Sequence, residues 1–141
     1  MFGKKRKDKI VEKRTVLFVD DDEIVLQSLE RGLLDESYNK LFAKSGQEAL
    51  EIIQQEEVHV IVVDMCMPEM TGLKLLRDVR KECPCVIGMV LTGYEEDAEL
   101  QAAVEQKEIF KLISKPWKFG GVNFESLVRQ AIDRYNFQLI R

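Results

Sequence analysis

Cysteine is scarce, and its count is odd. Among Cys66, Cys83 and Cys85 the one close pair is Cys83-Pro84-Cys85, whose spacing suits neither a redox pair nor a zinc knuckle. A disulfide scaffold and a zinc module are therefore disfavoured, and reduced thiols in a cytoplasmic protein are expected. Long apolar runs are also missing. None approaches the ~20 residues that cross a bilayer, and the basic start MFGKKRKDKIVEKR has no apolar stretch behind it to make a secretory signal. No internal repeat or low-complexity segment is visible. Positive charge is short beyond the first residues. Residues 1–14 carry seven Lys or Arg against two acids, and the following 127 residues carry 14 against 23, so a tail of net +5 precedes a body of net −9. The acidic body argues against direct nucleic-acid binding, and the tail reads as a solvated arm.

What is present suffices for one globular unit: 141 residues, 45% apolar and 33% charged. The expected division is a basic tail over 1–14 and one domain over 15–141. Short apolar runs appear as TVLFV (15–19), KLFA (40–43), VHVIVV (58–63), VIGMVL (86–91) and IFKLI (109–113). Between them lie stretches of helical period, such as Leu26, Leu29 and Leu33, or Leu75, Leu76 and Val79. Ser45 and Glu48 have capping-box spacing ahead of the second stretch. Five strands alternating with five helices predict an α/β fold: a doubly wound, five-stranded parallel sheet of flavodoxin-like order 2-1-3-4-5, with helices on both faces. The runs are nearly pure apolar, as strands buried on both sides should be. Gly88 interrupts the fourth run for no reason the sequence supplies.

In such sheets chemistry gathers beyond the carboxyl ends of the strands. The first run ends in Asp20, Asp21, Asp22 and Glu23, the third in Asp64, the fourth in Thr92 and the fifth in Ser114-Lys115-Pro116. Taken singly, each has an ordinary explanation: Asp22 and Glu23 as helix caps, a lone Asp as a turn residue, Lys-Pro as a surface loop. Taken together at four of five strand ends, they converge on one rim. Strands 1 and 3 would lie ~4.8 Å apart, crowding Asp20, Asp21 and Asp64. Like charges so close call for a hard cation, and oxygen-only ligands suit Mg²⁺. Lys115 would reach across from two strands away. A carboxylate nucleophile beside a cation and an ammonium is equipment for phosphoryl transfer to Asp.

The segments VLFVDDD, VVDMCMPEMTG, VLTGY and ISKPW resemble the receiver domain of two-component response regulators, including chemotaxis-type receivers, over residues 15 to about 136. The resemblance implies that Asp64 is the phosphoacceptor, that Thr92 and Lys115 bind phosphoryl oxygens, and that Mg²⁺ is held by Asp20, Asp21, Asp64 and the backbone carbonyl of Cys66. It implies a histidine kinase or phosphotransfer protein as donor and an output domain or effector as target. It further implies a face built by the fourth helix, fifth strand and last helix that shifts on activation and can pair two copies. Cys66 and Tyr94, two residues beyond the phosphoacceptor and the threonine, would flank the path of hydrolytic water and leave dephosphorylation slow. The aromatic residue that many receivers carry three before the lysine is here Leu112, and Phe110 does not take its place. His59, the single histidine, opens a predicted strand and is expected to have a structural or surface role. The apolar end of the last stripe, Leu139 and Ile140, is expected to continue into a longer protein.

Two other readings share parts of this pattern. A receiver-like module without phosphate turnover would usually have lost one of Asp20, Asp21, Asp64, Thr92 or Lys115. A haloacid-dehalogenase-type hydrolase would place a D-x-D pair after the first strand, but a third carboxylate at the third strand suits it poorly.

Overall fold

Alternation within the strands assigns the layers. The computed structural model describes residues 13–93, 96–115 and 124–140. In β1 (Thr15–Val19), Val16 and Phe18 turn to one side of the sheet and Leu17 and Val19 to the other. The first side is covered by α1 (Glu23–Gly32) and α5 (Phe124–Ile140), through Leu26, Leu29 and Leu33 and through Phe124, Val128 and Ala131. The second is covered by α2 (Gly46–Gln55), α3 (Gly72–Glu82) and α4 (Ala98–Glu105). With β2 (Asn39–Ala43), β3 (Val60–Asp64), β4 (Ile87–Thr92) and β5 (Lys111–Ser114), β1 forms a parallel sheet of order β2-β1-β3-β4-β5. The expected fold class, strand order and two-sided burial are those observed.

Local chemistry sets the element ends. Asp22 caps α1, its side chain accepting from the Ile24 N–H. Ser45 caps α2 by accepting from Glu48 N–H, while the Glu48 carboxylate accepts from Lys44 N–H, one residue before the position that a standard capping box would use. Thr71 caps α3 in the same way through Lys74 N–H.

Two strands start two residues later than the apolar runs suggest. β3 begins at Val60 because His59 works at the ladder's entrance: its N–H donates to the Thr15 carbonyl and its Nδ1 accepts from the Thr15 N–H at 2.9 Å. The imidazole is buried, edge-on to Tyr135 at 4.9 Å. His59 is therefore structural, one of the two roles expected. β5 begins at Lys111, after a turn in which the N–H groups of Glu108 and Ile109 both donate to the Ala103 carbonyl. Strand alternation does not extend back to Phe110. Leu112 packs on the α2–α4 side and Phe110 on the α1–α5 side.

Gly88 finds its reason in packing. A Cβ there would lie 2.4 Å from Cδ1 of Leu76, a fully buried residue of α3. The missing side chain lets α3 lie close on β4. Among the described residues no helix is long and apolar enough to cross a membrane. At the far end of α5, Phe137, Leu139 and Ile140 are exposed. The tail up to Glu12 lies outside the described residues.

Candidate functional site

Register brings the strand ends level. Val19 pairs with Val63, Asp64 with Leu91, and Thr92 with Ser114. Asp20, Asp64, Thr92 and Lys115 therefore emerge on one rim, within one or two residues of the last ladder bonds. The rim is tied by backbone bonds: Asp20 N–H to the Ala43 carbonyl, Met65 N–H to Leu91, and Lys115 N–H to Thr92.

Asp20, Asp64 and Thr92 are buried, whereas Asp21 and Cys66 are exposed. Carboxylate oxygens of Asp20, Asp21 and Asp64 lie within 4.8 Å of one another. Lys115 Nζ stands 2.5 Å from Asp64 Oδ1 and 3.8 Å from Asp20 Oδ2. The reach across two strands expected for Lys115 is thus made, and it ends on Asp64.

The charges strain against one another. Burial, helped by Asp64 and Asp21, pushes the Asp20 carboxyl up to about 6, against the pull of the Asp22 N–H and Lys115. Burial works against the Lys115 ammonium, yet the hydrogen bond and charge of Asp64, followed by Asp20, outweigh it and hold that amine above its ordinary value. One lysine faces three carboxylates. Asp20 Oδ1 accepts from the Asp22 N–H at 2.9 Å, but its buried Oδ2 has no hydrogen-bond partner among the described residues. A buried oxygen without a donor, in an excess of oxygen ligands, fits a hard divalent cation.

The sequence reading found the acids, the hydroxyl and the ammonium, but not what fixes the loop between Asp64 and α3. A Cβ at Gly72 would sit 2.5 Å from the Asp64 carbonyl oxygen, and Gly72 N–H donates to the Met65 carbonyl at 2.9 Å. Glycine lets the start of α3 abut the backbone of Asp64 itself. Its spacing in Asp64-x-x-Met67-Pro68-x-x-x-Gly72 was visible in the sequence, though the contact it permits was not. Tyr94, Pro116 and Trp117 lie outside the described residues.

Residues 16–122 match the family model of the response regulator receiver domain. The chain belongs to that family. This receiver domain is 32% identical over 127 residues to the hydrogenase transcriptional regulatory protein HoxA of Cupriavidus necator, covering 90% of this chain and 26% of that protein. It is 42% identical over 101 residues to the sensor kinase CckA of Brucella abortus, covering 65% of this chain and 11% of that one. Among solved structures it resembles the signal receiver domain of an HD domain-containing protein from Pseudomonas fluorescens, with a TM-score of 0.78, 29% identity, and coverage of 92% and 93% of the two chains. The chain thus spans about a quarter of the transcriptional regulator it matches. Receiver domains are signalling domains, and the acidic cluster here is one that could hold a metal.

Proposed function

We propose that this receiver domain is a phosphorylation-dependent switch. Asp64 accepts a phosphoryl group from a histidine kinase or phosphotransfer protein, and the change alters the α4-β5-α5 face to control a partner or output domain in the cytoplasm. The observation that carries this reading is the 2.5 Å contact of Lys115 Nζ with Asp64 Oδ1, beside a buried Asp20 oxygen that has no hydrogen-bond partner among the described residues.

Asp20, Asp21, Asp64 and the backbone carbonyl of Cys66 are the groups that would hold Mg²⁺. When bound, it would neutralise charge on the phosphoryl oxygens. The chain's own residues do the rest. An Asp64 carboxylate oxygen bonds to phosphorus while the bond from phosphorus to the donor's imidazole nitrogen breaks, its electron pair staying with the imidazole. Lys115, kept charged by its neighbours, passes from a carboxylate oxygen to a phosphoryl oxygen. Thr92, buried at the end of β4, donates its hydroxyl to another. The domain catalyses only its own phosphorylation and slow dephosphorylation.

The test is incubation with Mg²⁺ and acetyl phosphate followed by intact mass. The parent gains one phosphoryl group and Asp64→Asn gains none, because an amide is not a nucleophile there. A gain retained in Asp64→Asn overturns the assignment.

A further inference from the structure

At the N-terminal ends of β4 and β5, away from the phosphorylation rim, the domain has a second concavity of about 610 Å³. Four cations line it: Arg80 from α3, Lys107 from the α4–β5 turn, Lys111 from β5 and Arg134 from α5. They come from four elements, so no run of charge in the sequence announces them. In a body of net −9 they make a local reversal of sign.

Little of that charge is spent in ion pairs with the protein's own acids. Glu108 is the one carboxylate of the lining, and Arg77 holds it through two bonds of 3.0 Å. Arg80 donates to the backbone carbonyls of Glu108 and Val86. Among the described residues Lys107, Lys111 and Arg134 form no ion pair.

Two features show the cations being placed. Arg134 and Lys111 both ride over the Phe110 ring, at 5.1 and 5.6 Å from its centroid, which restrains both heads beside an apolar surface. Lys107 is the one non-glycine residue at positive φ among the described residues, at 67°. Glycine or asparagine takes that conformation at lower cost, so the lysine there supplies something glycine would not: a cationic side chain in the groove's lining.

We propose that this groove binds a small phosphorylated ligand with a planar or apolar portion, of the size of a nucleoside polyphosphate. Its volume falls in the range of small-molecule sites, ~300–1,000 Å³. Arginine and lysine together suit phosphate oxygens, and Phe110 supplies apolar surface for the remainder. An extended nucleic-acid strand would have to follow a body of net −9 beyond the groove. The reading rests on this groove alone and is independent of phosphorylation at Asp64.

The test is calorimetric titration of the whole chain in EDTA, which takes the acidic rim out of the measurement, with ATP, GTP, pyrophosphate, adenosine and a poly-glutamate peptide as probes. One of the two nucleotides should bind one per chain, more tightly than pyrophosphate or adenosine, and more weakly as salt is raised. Lys111→Glu and Arg134→Glu should each weaken it by about tenfold or more. Lys107→Gly should weaken it severalfold while the melting temperature holds or rises, since glycine relieves the backbone. Absence of nucleotide binding overturns the proposal. So does pyrophosphate binding as tightly as the nucleotides, peptide binding in their place, or unchanged nucleotide affinity in Lys107→Gly.

Discussion

Asp20 is 1% exposed and carries a charge that its surroundings oppose. Its carboxyl titrates near 6 in the fold against 3.8 for the ordinary side chain. The folded state therefore binds the extra proton between those values, and stability falls as pH rises through that window, the penalty being complete above it. Asp20→Asn keeps an acceptor for the Asp22 N–H and removes the charge. At pH 7.5 without metal it should raise unfolding stability by about 1–3 kcal/mol, with the advantage shrinking towards pH 4, as read by urea melts across pH. Added Mg²⁺ should stabilise the parent and leave the variant nearly unmoved. A second expectation concerns Cys66, whose exposed thiol stands beside the rim. A thiol orients water poorly, so Cys66→Asn should release phosphate from the loaded domain several-fold faster. Equal or slower release contradicts a role for this position in lifetime. At this scale the sequence was a good guide, because Asp64, Thr92 and Lys115 are chemically conspicuous at the ends of apolar runs. It did not show the unpaired Oδ2 of Asp20, which depends on where its neighbours come to rest.

Elements are positioned by what they lack as much as by what they carry. Gly88 and Gly72 let α3 approach β4 and the Asp64 carbonyl, and a Cβ at either would come within 2.5 Å of another atom. The consequences differ because the obstacles differ. Gly88→Ala presses on the Leu76 side chain, and should cost about 1–3 kcal/mol of stability as an overpacked core does, leaving phosphorylation close to the parent's rate. Gly72→Ala presses on the backbone of Asp64, the proposed phosphoacceptor, and should slow phosphorylation by acetyl phosphate even at temperatures where both variants are fully folded. Equal phosphorylation rates in the two variants contradict this division. Helix periods and caps were legible at this scale. The starts of β3 and β5 were not, since His59 and the turn through Lys107 use apolar neighbours for purposes other than a strand.

Across the whole molecule, the proposed switch requires activation to travel from the rim to a surface. β5 lies at the sheet's edge, with Lys115 at its end and Leu112 packed inward towards the α2–α4 side. A leucine there cannot turn as an aromatic ring does, so the shift is expected to run through Thr92 and the ends of β4 and β5. Loading with beryllofluoride should change self-association through α4-β5-α5, read as a change in sedimentation coefficient at fixed protein concentration. A few kcal/mol of bias is enough for such a change. Unchanged sedimentation assigns the output to a partner or attached domain.

The residue pattern was enough for the layered α/β fold and its strand order, because the alternation of β-branched runs with amphipathic stretches leaves a parallel, doubly covered sheet as the arrangement that buries both. It also determined which side chains gather at the carboxyl rim, since strand polarity alone sends them there. Packing between elements fixed how close they come: Lys115 on Asp64 rather than between the acids, and Gly72 against the Asp64 backbone. It likewise decided that Arg80, Lys107, Lys111 and Arg134, scattered over 55 positions of an acidic chain, share one groove. Distances between side chains depend on packing across elements remote in sequence, and no local pattern encodes them.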